Sequence, residues 1–370
     1  MDEEIKNLEL DEEYSDDSLL NLVSYGADLS VRELVSMFNE SELVKPSLQR
    51  NYVWDRKMAS RFIDSILLGL PVPSIFLAKD EDQRLLIVDG LQRIITLVDF
   101  FNETFSKTQR RFKLHNSEII NEKWRNKTFS ELAPEYQRRI KTYTLHAIIF
   151  DRKGRTGDDT AMYQIFERIN TGGRVLSPQE IRNCVYHGKF NDLLLELNRN
   201  EKWRYLYGTD ADERMKDVEF ILRFFALKSM SPSHLKIVNL NKFLNLYMGA
   251  NQNLSFEDQE VFRQEFNSTV NFVYEKFGEC LIQKRPSSRK RTGISLLLES
   301  IMIGSFVYLK NKCCDEFIDS ETVRNRVDSL ISDLEYFNAS NSRTTDEANI
   351  KMRLIKCLEI VFEIYREERI

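Results

Sequence analysis

Nine residues, Leu85 to Arg93, constrain the fold of this chain more than any others. Leu85-Leu86-Ile87-Val88 is an apolar run of strand length, and it ends in Asp89-Gly90. Beyond the turn, Ile94, Ile95, Leu97, Val98 and Phe101 recur at helical spacing. The pattern predicts strand, tight turn, helix. A helix opening directly behind a buried strand presents backbone N–H groups that lack intrahelical partners, at the positive end of its dipole. Such a place suits a phosphate. Gln92 and Arg93 fall in the first turn. Arginine there opposes the dipole, so helix stability does not explain it, whereas a ligand anion does. The competing reading is structural, because Asp-Gly is also the commonest hairpin turn. Helical rather than alternating periodicity after the turn weighs against a hairpin.

The rest of the sequence sorts into two regions. Ser30 and Glu33 have capping-box spacing ahead of Leu34, Val35 and Phe38. An extended segment runs from Leu43 to Trp54. Asp55 then caps a helix with Met58, Phe62 and Ile66 along one face, stopped by Gly69. Strands are expected at Ser74–Ala78, Arg84–Val88 and Tyr143–Phe150. Past Phe150 helical patterns dominate: Asp159–Ile169, a helix started by Ser177-Pro178-Gln179-Glu180, then Asp212–Leu227, Asn241–Met248, Phe256–Phe277, Ile294–Lys310, Ser320–Phe337 and Thr345–Glu368. The expected fold class is α+β, with a mixed domain over residues 29–155 and a helical domain over 156–370. Residues 1–28 are expected to be an acidic flexible tail, since residues 1–18 hold nine carboxylates and one lysine.

Charge and cysteine usage narrow the function classes. A net charge of −5 over 370 residues means that any nucleic-acid site must be a local patch. The strongest local cluster is Lys284-Arg285-Pro286-Ser287-Ser288-Arg289-Lys290-Arg291, with five cations in eight residues; its alternative is a solvated loop. Five cysteines without metal-ligand spacing fit a reducing, cytoplasmic location. No segment reads as a signal peptide or a membrane span. Four scattered histidines give no zinc frame, so no metal site is expected from the protein alone. Neither a Gly-x-x-x-x-Gly-Lys-Ser/Thr loop nor a Gly-x-Ser-x-Gly elbow is present.

Two further clusters carry potential chemistry. Gln49-Arg50-Asn51-Tyr52-Val53-Trp54 combines an amide, a guanidinium and two aromatics, and could grip a base and a phosphate. Its alternative is an edge strand on which Tyr52 and Trp54 alternate with Val53 and simply pack. Phe166-Glu167-Arg168-Ile169-Asn170-Thr171-Gly172-Gly173 ends a helix in a polar loop. That loop is either a plain helix stop or a cover for the first site.

Together these segments resemble the N-terminal domain of GmrSD-type modification-dependent restriction enzymes. The residues that carry the resemblance are Gln49-Arg50-x-Tyr52-x-Trp54, Ser65-Ile66-Leu67-Leu68-Gly69-x-Pro71-x-Pro73 and Val88-Asp89-Gly90-x-Gln92-Arg93-x-x-Thr96-Leu97. Phe166-x-Arg168-Ile169-Asn170-Thr171-x-Gly173, Leu176-Ser177-x-x-Glu180-Ile181-Arg182-Asn183 and Arg214-Met215-x-Asp217-x-Glu219 follow in the same order. The resemblance implies a ParB/sulfiredoxin-like core in which a Gly-x-x-Arg turn holds nucleotide phosphates. It implies a nucleotide site of Gln49, Arg50, Asp89, Gly90, Gln92, Arg93, Arg168 and Asn170, with Asp89, Gln92 and Arg93 as the catalytic candidates. The cofactor would be an NTP, with Mg²⁺ brought through its phosphates, in a component of an anti-phage or restriction system that acts on or senses DNA.

Two departures qualify what is implied. The first glutamine of the family's Asp-Gly-Gln-Gln-Arg motif is Leu91 here, which sets binding without hydrolysis beside an NTPase. Many relatives carry a His-Asn-His nuclease domain, and this chain has no histidine after His234. DNA cleavage would then fall to a partner nuclease chain, or to the core itself with Asp89 and Glu167 as metal ligands. The alternative function is a non-catalytic DNA-binding or scaffold module with a vestigial pocket and contacts through Lys284, Arg285, Arg289, Lys290 and Arg291.

Overall fold

The structure is a computed structural model. It describes residues 22–45, 52–80, 82–152, 160–169, 176–228, 237, 239–283, 292–311 and 319–364. Gln49, Arg50, Asn170 and the Lys284–Arg291 cluster lie outside the described residues. The chain divides into two units: the described residues up to Arg152 together with 161–169 and Leu176, and those from Ser177 onward together with Thr160.

The first unit is built on a five-stranded mixed sheet in the order β1-β7-β3-β4-β2. The strands are β1 (Leu22–Ser30), β2 (Leu43–Val44), β3 (Ile75–Lys79), β4 (Leu85–Asp89) and β7 (Thr144–Arg152). β1 pairs antiparallel with β7 from Leu22↔Arg152 to Ser30↔Thr144. β3 runs parallel to β7 and antiparallel to β4, and the short β2 runs parallel to β4. β1 starts within the stretch expected to be acidic tail, so residues 22–28 are sheet. Its own sequence hides this, because Ser24, Tyr25 and Gly26 are all exposed and no alternation marks a core face.

Three helices cover one face of the sheet: α1 (Val31–Asn39), α2 (Arg56–Leu68) and α3 (Leu91–Phe101). Local chemistry sets their ends. The Ser30 hydroxyl accepts from the Glu33 N–H at 3.2 Å, while the Glu33 carboxylate accepts from the Ser30 N–H at 3.4 Å. Asp55 Oδ1 accepts from the Met58 N–H at 2.8 Å, and Gly69 ends α2 in the left-handed region at φ 77°. The buried stripe of α2 is Ala59, Phe62, Ile63, Ile66 and Leu67, whereas Met58, expected on it, is half exposed. These residues pack with Ile75, Leu77, Leu85, Ile87, Leu145, Ala147 and Ile149 in one core. Leu86, Val88 and Ala78 are buried as well, so β4 is covered on both faces, which explains its unbroken apolar run.

Between α3 and β7 the chain makes an excursion that sequence reading left unassigned. It contains the hairpin β5 (Thr104–Phe105) and β6 (Arg110–Arg111), then irregular turns, then α4 (Pro134–Thr142). Phe105, Phe112, Leu114, Ile120, Trp124 and Phe129 are buried and join the same core as α2 and α3. Polar ties fix it there. Asp64 Oδ1 accepts from the Asn121 N–H at 3.0 Å and from Trp124 Nε1 at 2.7 Å, and Ser60 Oγ accepts from the His115 N–H at 2.8 Å. The excursion therefore forms a third layer over the helices. Helix α5 (Thr160–Ile169) also belongs to this unit from Ala161 onward.

The second unit is helical throughout its described residues: α6 (Pro178–Val185), α7 (Lys189–Leu197), α8 (Glu201–Tyr207), α9 (Lys216–Lys228), α10 (Leu240–Asn251), α11 (Phe256–Gln283), α12 (Thr292–Lys310), α13 (Ser320–Ser332), α14 (Leu334–Asn341) and α15 (Glu347–Ile360). The fold is thus α+β. One expected helix, Ser320–Phe337, is two. The Asp333 carboxylate accepts from the Tyr336 N–H at 2.9 Å, ending α13 and starting α14. Cys184 and Cys357 are buried, and burial pushes both thiols up, so neither is a reactive thiolate. Among the described residues, no helix is long and apolar enough to cross a membrane.

Candidate functional site

The Asp89–Arg93 segment folds as strand, turn and helix. Gly90 is the N-cap of α3 with φ 98°, and a Cβ there would lie 2.5 Å from Ile75 Cγ2. Both the left-handed backbone and the close approach require glycine. No side chain caps α3, and its first ladder bond is Ile94 N–H to the Gly90 carbonyl at 3.0 Å. The N–H groups of Leu91, Gln92 and Arg93 therefore have no acceptor from the helix itself. Leu91, the departure from the family motif, is 6% exposed and part of the core.

Arg93 is held rather than extended into solvent. One guanidinium nitrogen, Nη1, donates to the carbonyls of Pro73 and Ser74 at 2.6 and 2.8 Å, and Nη2 donates to Asp89 Oδ2 at 2.6 Å. Its side chain is 13% exposed. The Asp89–Arg93 pair thus ties the end of β4 and the start of α3 to the segment that leads into β3. A guanidinium has five N–H groups, so the Nε–H and one Nη2–H are left over.

Gln92 performs a second tie. Its Oε1 accepts from the backbone N–H groups of Val53 and Trp54 at 2.9 and 3.2 Å. Thr96 Oγ1 donates to the Gln92 carbonyl at 2.7 Å, so the Tyr52 hydroxyl, 2.7 Å from Thr96 Oγ1, must be the donor of that contact. Burial raises the Tyr52 hydroxyl far above its ordinary pKa; the Thr96 bond opposes this, and the nearby Asp99 and Asp55 carboxylates add to it. Replacing Tyr52 with Phe should cost about 1 kcal/mol, the worth of one neutral hydrogen bond, read as a shift in urea midpoint. A midpoint equal to wild type would mean that the hydroxyl contributes nothing.

The structure thereby brings together two of the three sequence clusters, through Gln92 and Thr96. It also settles how the aromatics are used. Tyr52 stacks edge-on against Phe105 at 5.4 Å and Trp54 against Phe62 at 5.6 Å, so both rings pack into the fold as the simpler alternative had it, although residues 52–55 are irregular rather than the edge strand it expected. Val53 is 52% exposed beside them. Sequence reading missed Lys107, whose Nζ donates to the Val53 carbonyl at 2.9 Å from the β5–β6 turn. Nothing in the local sequence marked it, because the contact spans 54 residues. In α5, Arg168 is exposed and Glu167 half-buried. Among the described residues, no group of three or more His, Cys, Asp or Glu is placed to hold a metal ion.

The remaining motif residues have their own use. Ser177 Oγ accepts from the Glu180 N–H at 3.2 Å and donates to the Arg214 carbonyl at 2.8 Å. Arg182, fully buried, donates to Asn245 Oδ1 at 2.8 Å, Glu219 Oε2 at 3.0 Å, Gln179 Oε1 at 3.2 Å and Asn241 Oδ1. Asp217 accepts from Arg204 at 2.7 Å and from Asn198 Nδ2 at 3.0 Å. Residues 31–187 match the family model described as GmrSD restriction endonuclease, N-terminal domain. This part of the chain belongs to the GmrSD N-terminal domain family. No curated protein and no solved structure matches the chain. The GmrSD N-terminal domain here spans α1 to α6, so it contains both the Asp89–Arg93 turn and the Ser177–Asn183 motif, and it ties the chain to restriction and anti-phage systems.

Proposed function

We propose that the first unit binds a nucleoside triphosphate at the start of α3 and acts as the nucleotide-dependent component of a restriction or anti-phage system. The observation that carries this reading is the uncapped N-terminus of α3, with three backbone N–H groups and Gln92 Nε2 left without a partner among the described residues. Those groups are donors suited to phosphate oxygens. Arg93 adds positive charge beside them and keeps the turn in shape through Pro73, Ser74 and Asp89. Asp89 Oδ1 is the carboxylate oxygen at the turn not taken by Arg93, and Mg²⁺ is commonly held by one or two carboxylates plus the phosphates it neutralises. When bound, such an ion would offset charge on the phosphates. Val53 and Lys107 border the same end of α3 and offer an apolar surface and a cation.

The test is binding of labelled ATP, GTP, CTP and UTP, and phosphate release, with and without DNA. Arg93→Ala should weaken nucleotide binding at least tenfold, about 1.4 kcal/mol. Equal binding by both proteins, with both folded by circular dichroism, sinks this assignment. Hydrolysis is the finer claim, since Leu91 stands where the family has a glutamine.

A second reading is favoured by the engagement of Arg93: a module in which the turn is purely structural and the chain serves as a DNA-binding scaffold for a nuclease partner. It expects no nucleotide binding by wild type and retained DNA binding. In either reading, DNA and a partner nuclease chain are the expected partners, and the cytoplasm the expected location.

A further inference from the structure

Residues 104–142, the outer layer of the first unit, hold ten Lys and Arg against four Glu, a charge of +6. The whole chain is −5, so everything else sums to −11. The cations are concentrated on one part of an otherwise acidic molecule. They are also little neutralised where they stand. Among the described residues, Arg111 and Lys113 are the members of this set that meet a carboxylate, through Glu103 and Glu131. Arg125 is spent on the Ile120 carbonyl at 3.1 Å, and Lys141 lies over the Phe101 and Phe129 rings at 5.9 and 5.6 Å. Arg110, Lys123 and Arg138 are exposed without a carboxylate partner, and Lys127 Nζ lies 2.8 Å from the Lys123 carbonyl.

We propose that this outer layer is a docking surface for the phosphate backbone of duplex DNA. The geometry follows from how the layer is anchored. Its apolar residues are buried in the core that α2 and α3 share, and α4 rests against α1 and α2. The polar residues that remain face outward over the helical layer. Half of the ten cations are arginines, whose planar fork fits phosphate oxygens in pairs. Ordinary solvated surface charge would be interleaved with acids at near balance, which is not the case here, with ten cations against four acids.

Of the ten cations only Lys107 borders the Asp89–Arg93 turn, and it is left unchanged; the four that are tested, Arg110, Lys123, Lys127 and Arg138, have no contact with that turn, so binding is measured without nucleotide. The measurement is fluorescence anisotropy of a 20-base-pair duplex from 50 to 300 mM NaCl. One variant carries Arg110→Gln, Lys123→Gln, Lys127→Gln and Arg138→Gln. The wild type should bind with a steep salt slope. The variant should lose at least tenfold in affinity at 100 mM NaCl, and its slope should fall by up to about 3.6, at 0.9 for each lost phosphate contact. A swap that keeps charge, Lys123→Arg with Lys127→Arg, should bind as wild type. If the fourfold variant does not fold, Arg110→Gln with Arg138→Gln should show half the slope change.

Unchanged affinity and slope overturn the proposal. So does loss of binding on neutralising Lys284 to Arg291 while the fourfold variant still binds, because that loop would then be the contact. Competition by polyglutamate as strong as by duplex DNA also overturns it. None of these results bears on nucleotide binding at Gln92 and Arg93, so the two readings fail separately.

Discussion

Replacing Arg182 with Met should destabilise the protein by about 3–5 kcal/mol, the cost of breaking a buried charged network from one side. The guanidinium is fully buried and supplies donors to four side chains from three helices: Gln179 on its own helix, Glu219 on α9, and Asn241 and Asn245 on α10. Methionine matches its length but donates nothing. Asn241 and Asn245 are buried, so their carbonyl oxygens would gain no replacement from water, and Glu219 would lose its cation. A lysine in its place would restore the charge but not the planar fork that reaches four acceptors, so Arg182→Lys should recover only part of the loss. Urea unfolding followed by circular dichroism measures both. A loss below about 1 kcal/mol for Arg182→Met would falsify the structural role. A variant of full stability that no longer binds nucleotide or DNA would instead place Arg182 in a binding surface.

That network marks the boundary of what the sequence discloses. The Ser177-Pro178-x-Glu180 start was legible because a capping box is local: four residues contain donor, acceptor and spacing. The same is true of Ser30-Glu33, of Asp55, and of the strand-to-helix switch at Asp89-Gly90. Arg182 was visible as a motif residue, but its partners on α9 and α10 lie 37 to 63 residues away, and no local pattern names them. The edge strand β1 was invisible for a related reason. What makes it a strand is β7, more than a hundred residues on, not any alternation of its own. The excursion between α3 and β7 was unreadable because its inward residues follow neither period. They are placed by turns and by polar ties to Asp64 and Ser60. At the candidate site the sequence pointed to the right residues and the right helix end. It had no means of showing that Arg93 would find two carbonyls 19 and 20 residues before it, or that Gln92 would hold the backbone after Asn51.

Gly90→Ala should be the most damaging single-methyl change in the first unit, at about 2–5 kcal/mol. Two costs add. A non-glycine residue in the left-handed region costs about 1–2 kcal/mol, and Gly90 sits at φ 98°. Overpacking adds about 1–3 kcal/mol, because the new Cβ would meet Ile75 Cγ2 at 2.5 Å and Ile75 Cβ at 3.0 Å. Ile75 is fully buried and its strand is hydrogen-bonded on both edges, so it has little room to yield. The turn would move instead, and with it the start of α3. Arg93 would then lose its fit to the Pro73 and Ser74 carbonyls, so nucleotide binding should fall by more than the stability loss accounts for at temperatures where the variant is folded. Gly249→Ala is the control. It lies within α10, where a Cβ meets Tyr186 at an ordinary 3.5 Å, and should leave stability unchanged or raise it by about 0.5–1 kcal/mol. Thermal and urea unfolding of the two variants decide the matter. If Gly90→Ala unfolds with the wild-type midpoint, the turn does not depend on glycine, and the rigid presentation of the α3 N-terminus on which the nucleotide reading rests fails with it.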